Sequence, residues 1–223
     1  MHPEAINDKT KRVLEKIVQS RIAKTFYLAG GTALALQLGH RQSIDLDWFS
    51  KNHFSNYDLK KDLGALGDFK IDNDSEGTIN GLLDEIRVSF FYYDYDQLFI
   101  PLSFEGINLA DERDIAAMKI DAISSRGSKK DFIDLYFLLE KYRLAELIRF
   151  FEKKYAQIKY NKLHILKSLV YFDDAEEEPI PIMLQQVEWK DVKKKIKEAI
   201  LEIGIWYEKH LPGTSGDIRM FQL

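Results

Sequence analysis

Cysteine is missing from the chain, which excludes disulfides, thiol nucleophiles and thiolate-bound zinc and fits a reducing cytosol. The histidines (His2, His40, His53, His164 and His210) fall without ligand spacing, which argues against histidine-bound zinc as well. No apolar run approaches membrane-spanning length, and Met1-His2-Pro3-Glu4 opens no basic-then-apolar leader. A cytoplasmic protein with no membrane association is therefore expected. Basic charge is not in excess: 32 Lys and Arg against 36 Asp and Glu leave a net −4. That argues against a wholesale nucleic-acid binder, and no DNA-binding motif is recognised. Internal repeats and low-complexity tracts are lacking too.

What remains is a globular composition. The 223 residues are 45% apolar and 30% charged, enough chain for one large domain or two small ones with a proper core. Apolar spacing predicts an amphipathic helix over 10–24, a short strand over 26–29 and a helix over 33–38 capped by Thr32 and ended by Gly39. A strand over 44–49 alternates apolar with acidic residues. Residues 71–80 read as a weak strand and a turn, 82–93 as one long β run, and 101–109 as an edge strand. Helices are expected over 112–125, 130–142, 144–155, 159–171 and 189–210. This order predicts an α+β protein, with a core over 1–110 and a helical region over 111–223.

Charge divides unevenly along the chain. Residues 141–170 hold eight basic side chains (Lys141, Arg143, Arg149, Lys153, Lys154, Lys159, Lys162, Lys167) against Glu146 and Glu152. Such a run is either a solvated helical face or a seat for a polyanion such as RNA.

Chemistry concentrates in Leu28-Ala29-Gly30-Gly31-Thr32, followed by Ile44-Asp45-Leu46-Asp47-Trp48. A strand that turns through two glycines into a helix aims free backbone N–H groups and a positive helix end at whatever lies in front, a seat for phosphate. Thr32 adds a hydroxyl. Asp45 and Asp47, two apart on a strand, share a face about 6–7 Å apart, with Ile44, Leu46 and Trp48 packing opposite. Paired carboxylates resist joint ionisation unless a cation intervenes, and hard Mg²⁺ or Mn²⁺ suits their oxygens. If both halves lie in one sheet, the ensemble binds a nucleoside triphosphate (NTP).

These residues, within "YLAGGTALALQLGHRQSIDLDWFS", resemble the opening of a DNA-polymerase-β-type nucleotidyltransferase, and more narrowly the AbiEii/AbiGii toxin family. Lys119 to Arg126 resembles that family's third motif and Lys130-Asp131-Phe132-Ile133-Asp134 its fourth. The resemblance implies a nucleotidyltransferase-fold mixed sheet flanked by helices, with a C-terminal helical bundle region. It also implies transfer of a nucleoside monophosphate to a hydroxyl on tRNA or protein, toxin behaviour and a cognate antitoxin. In this reading Gly30, Gly31, Thr32, Lys119, Arg126, Lys130 and Asp134 bind nucleotide. Asp45 and Asp47 hold metal, and Asp45, Asp47, Lys119 and Asp131 serve catalysis.

Lys119 and Arg126 are two helical turns apart and face one way, suited to a triphosphate or developing pyrophosphate. Asp131 and Asp134 also share a face, and either orients the attacking hydroxyl or positions Lys119. One departure matters. Polymerase-β-like enzymes usually place a third carboxylate on a later strand, where this chain offers Arg87 and Ser89 in the plausible slots. That favours a single metal over a two-metal mechanism. The alternatives are a catalytically inactive nucleotide-binding protein of the same fold and a metal-dependent phosphohydrolase with Asp45 as nucleophile.

Overall fold

The computed structural model describes residues 1–210, with side chains through Gly204; the stretch 211–223, assigned by sequence to the helical region, lies outside the described residues. After a short 3₁₀ turn come α1 (Asp8–Val18), α2 (Ile22–Thr25), β1 (Tyr27–Ala29), α3 (Gly30–Leu38), β2 (Leu46–Ser50) and α4 (Asn56–Leu66). Then follow β3 (Phe69–Ser75), β4 (Thr78–Leu83), β5 (Ile86–Tyr92), β6 (Leu102–Phe104) and β7 (Ile107–Leu109). The remaining elements are α5 (Glu112–Ser125), α6 (Lys129–Leu138), α7 (Leu144–Lys154), α8 (Lys162–Ser168), α9 (Asp173–Glu176) and α10 (Trp189–His210). None of the described helices is long and apolar enough to cross a membrane.

The chain forms two compact units. The first is Met1–Ile115 together with Ile182–Gln185; the second is Ala116–Pro181 and the chain from Gln186 onward. The first unit holds a seven-stranded mixed sheet in the order β3-β4-β5-β2-β1-β7-β6. β2 lies antiparallel to β1 and parallel to β5, and β1 lies parallel to β7. One face carries Leu28, Leu46, Trp48, Val88 and Phe90, all fully buried. Trp48 and Phe90 stack at 6.2 Å. Strand alternation sends Asp47, Phe49, Ser89 and Phe91 to the other face.

In the second unit α10 packs on α6 and α7. Its core is built from Phe132, Leu135, Leu147, Phe151, Val192 and Ile196. Phe132, Phe172 and Trp189 meet there edge-on or tilted, within 4.9–6.0 Å, the arrangement aromatic quadrupoles favour.

Several expected boundaries shift, each for a local reason. The first helix breaks after Val18 and resumes at Ile22, with the Ser20 hydroxyl bonded back to the Ile17 carbonyl. The β run of 82–93 is two strands, because Asp84 and Glu85 turn the chain with φ of 48° and 69°. A salt bridge from Lys16 and the Asp68 N–H hold the Asp84 carboxylate at this turn. The edge strand of 101–109 is likewise a hairpin, turning at Glu105 and Gly106. α4, which the sequence reading left unassigned, starts on Ser55, whose hydroxyl accepts the Asp58 N–H.

Candidate active site

In the first unit, β1 runs directly into α3, so Gly30 is the first helical residue and Ala29 the N-cap, with no side chain capping the helix. Thr32 is therefore inside the helix, not the cap expected of it. The leading N–H groups of α3 are left to whatever ligand lies before them. Gly30 sits at φ +67°, and a Cβ built on it would fall 2.6 Å from Asp47 Oδ2. The register Ala29↔Asp47 across β1 and β2 produces this approach. The glycine turn and the acidic strand thus meet on one sheet.

Asp45 precedes β2 instead of lying in it, and Ile44, expected to pack inward, is 53% exposed. The loop is held from the helix side. Thr32, 1% exposed, lies 2.7 Å from Ser43 Oγ, and its hydroxyl donates to the Asp45 carbonyl. This is a correction to Thr32 as a phosphate donor: its one proton already has an acceptor, and the residue fixes the loop that carries Asp45.

Arg41, which the sequence offers for a phosphate contact or, in preference, a loop salt bridge, and a strap distant in sequence also contribute. Arg41 is 3% exposed, its guanidinium lies where a Gly31 side chain would go, and its Nη1 donates to the Gln42 carbonyl. The loop bearing Arg41 is in turn pinned by residues 182–185. Gln42 N–H donates to Ile182 O at 2.7 Å, and Leu184 and Gln185 N–H both donate to His40 O. Arg41 and Met183 form a β-bridge. The Gln185 side chain donates to the Leu38 and Gly39 carbonyls at the end of α3. Arg41 follows closely on the glycine turn and its helix in sequence, but nothing local marks a strap some 140 residues away.

Ser89 lies directly beside Asp47 in the β2/β5 register and is 8% exposed. The slot for a further carboxylate is thus filled by a hydroxyl. Among the described residues, no group of three or more His, Cys, Asp or Glu could hold a metal ion.

The second unit holds the other predicted residues. Lys119 Nζ sits 2.7 Å from Asp131 Oδ1 and 2.6 Å from Asp134 Oδ2, with both carboxylates fully buried and the lysine nearly so. Arg126 Nε lies 3.2 Å from Asp131 Oδ2, and the Ser128 hydroxyl donates to that same oxygen. Burial alone would raise the Asp131 carboxyl. It is outweighed by the charges of Lys119 and Arg126 and by hydrogen bonds from Lys119 and Ser128, so the group sits below the ordinary carboxylate range. Of the two roles the sequence left open, this enclosure is the geometry of positioning Lys119. It argues against Asp131 attending a nucleophile, since both its oxygens are engaged and shut from water. Lys130 is exposed. Its buried neighbour Lys129 instead donates to the Glu176 and Glu178 carbonyls.

Elsewhere most cations are paired, as in Lys9–Glu85, Arg21–Asp62 and Lys193–Glu176. In the 141–170 run Lys162 pairs with Glu152. Arg143, Arg149, Lys153, Lys159 and Lys167 are exposed and have no salt bridge among the described residues.

A family model described as "Nucleotidyl transferase AbiEii toxin, Type IV TA system" matches residues 12–107 and 93–208. The chain is similar to the protein aq_aa25 of Aquifex aeolicus, with 40% identity over 205 residues that cover 86% of this chain and 97% of that one. Among solved structures it is similar to JHP933 from Helicobacter pylori, with a TM-score of 0.53 and 16% identity over 98% of this chain and 100% of the other. It is also similar to MenT4, a nucleotidyltransferase toxin from Mycobacterium tuberculosis, with a TM-score of 0.56 and 12% identity over 95% and 92% of the two chains. At such identities the structural likeness establishes the fold.

Proposed function

The chain belongs to the AbiEii nucleotidyl transferase toxin family, and we propose that it moves a nucleoside monophosphate from NTP to a hydroxyl acceptor at Gly30, Gly31, Asp45 and Asp47. The observation that carries this reading is the bare Cα of Gly30 against the Asp47 carboxylate at an uncapped helix start. Backbone N–H groups there complement phosphate oxygens, while the carboxylates complement a cation riding on the same phosphates.

The donor set fits a hard divalent ion. Asp45 and Asp47 offer only oxygen, both are half-buried, and two carboxylates plus substrate phosphate are the usual Mg²⁺ arrangement. When bound, Mg²⁺ supplies charge neutralisation and polarisation at the phosphates. Gly30 and Gly31 let phosphate reach the backbone. Thr32 and Ser43 hold the Asp45 loop, and Arg41 adds fixed positive charge beside Gly31. Lys119 and Arg126 are proposed to stabilise the triphosphate. Asp131 and Asp134 hold the Lys119 ammonium in place, so little reorganisation is needed as charge develops. The acceptor oxygen bonds to the α-phosphorus as the bond to the β-phosphate oxygen breaks; the hydroxyl proton passes to solvent, and pyrophosphate leaves.

An RNA acceptor such as tRNA is favoured over protein by the exposed, unbridged cations of 143–167, which suit a phosphodiester chain. Toxin activity, a cognate antitoxin and a cytoplasmic location are proposed with the family. Family membership favours transfer over phosphate hydrolysis. The test is incubation with each α-labelled NTP, Mg²⁺ and total RNA. Labelled RNA and released pyrophosphate are expected, both falling at least about a thousandfold in Asp47→Ala. An Asp47→Ala protein as active as the parent overturns the reading.

A further inference from the structure

We propose that Tyr27, Phe49, Phe91 and Tyr93 form a stacking subsite for a nucleobase beside the aspartate row; the proposal rests on the nucleotide-site reading above. The register sets the rings in line. Ala29, Asp47 and Ser89 make one row across β1, β2 and β5, and two residues further along the same face Tyr27, Phe49 and Phe91 make the next. Rows two residues apart on a strand are about 6–7 Å apart, so a ligand whose phosphates occupy the first reaches the second within one sugar.

The rings are continuous. Tyr27 and Phe49 stack at 5.9 Å, and Phe49 meets both Phe91 and Tyr93 at 5.2 Å. Tyr93 is fixed by its own backbone, its N–H donating to Ser50 O at 2.8 Å, and Tyr95 extends the cluster at 4.8 Å. On the opposite face Trp48 and Phe90 are wholly enclosed, whereas these four residues remain partly exposed, although the Tyr27 hydroxyl itself is buried. Aromatic surface that solvent reaches, on the same face as a phosphate seat and one step from it, suits a flat heterocycle better than water. Each stacked base gains roughly 5- to 150-fold in affinity. The base comes either from the NTP or from the acceptor's terminal nucleotide.

Calorimetric titration separates these sources. The parent, Tyr93→Leu and Phe91→Leu are titrated in Mg²⁺ with each NTP, with inorganic tripolyphosphate and with a short oligoribonucleotide. The parent is expected to prefer its best NTP over tripolyphosphate by tenfold or more. Both variants should lose most of that preference while binding tripolyphosphate as before, which assigns the rings to the NTP. Loss confined to the oligoribonucleotide also supports the subsite and assigns it to the acceptor. Unchanged base-dependent binding of both ligands in folded variants overturns it. Should the variants misfold, nitration of Tyr93 in the parent decides: protection by NTP or oligoribonucleotide but not by tripolyphosphate supports the subsite, and equal nitration throughout overturns it. A parent that transfers nucleotide while the variants keep their base preference refutes the subsite alone. Base-dependent binding lost in the variants, in a parent that releases no pyrophosphate, refutes the transfer reading alone.

Discussion

Gly30 and Asp47 approach so closely that a single added methyl group would fall 2.6 Å from the carboxylate oxygen. Gly30→Ala therefore carries two penalties, the clash and a left-handed backbone at φ +67°. A stability loss of about 1–3 kcal/mol is expected from the strain. The larger effect should be on catalysis, since the displaced carboxylate no longer faces the helix start. A fall of about a hundredfold or more in pyrophosphate release, measured beside thermal unfolding, checks both.

The Thr32 hydroxyl separates loop placement from phosphate contact. Thr32→Val keeps the shape, removes the donor and leaves the Asp45 carbonyl without it, at a cost of about 1–3 kcal/mol. Thr32→Ser restores the donor. Activity should drop about tenfold in the valine variant and recover in the serine variant, with kcat more affected than KM for NTP.

The Lys119 cluster predicts a reversal in pH dependence. In the parent, Asp131 lies below its ordinary value of 3.8. Its contribution is fully present above that value and is lost as pH falls toward the folded pKa, so this group leaves stability unchanged between pH 7 and 5. In Lys119→Met the main opposing charge is gone and burial dominates, raising Asp131 above its unfolded value. The variant should lose about 3–5 kcal/mol at pH 7 and regain part of it on acidification to pH 5. Urea unfolding of both proteins at the two pH values measures this.

Gln185 tests the strap. Gln185→Leu removes two side-chain bonds to the end of α3 while leaving the backbone bonds of 182–184 intact. A loss of about 0.5–1.5 kcal/mol is expected, with KM for NTP rising about threefold and kcat nearly unchanged. Steady-state kinetics against NTP concentration supply the measurement.

Much of the fold was legible because it is written locally. α5 and α10 match their expected bounds, since long amphipathic periods between breakers leave little choice. The turn at Asp84-Glu85 was not legible, because neither residue announces a positive φ and its support comes from Lys16, far off in sequence. The site divides the same way. Gly30, Gly31 and Asp47 are legible because close backbone approach and strand alternation restrict residue type. The roles of Thr32 and Asp131 were not, since a hydroxyl or carboxylate looks the same in sequence whether it meets a ligand or a neighbouring group. Arg41 carried a hint in its place after the glycine turn; residues 182–185 carried none, because apart from the Gln185 amide their bonds are made by the backbone, which is indifferent to side chain.

The strap also sets a timetable for synthesis. The loop joining α3 to the acidic strand is held at its start by residues 182–185, so while the ribosome is still adding the helices before them, the nascent protein has its glycine turn and aspartates but not the clasp over Arg41. The clasp over Arg41 therefore closes late in translation, after most of the polypeptide has emerged.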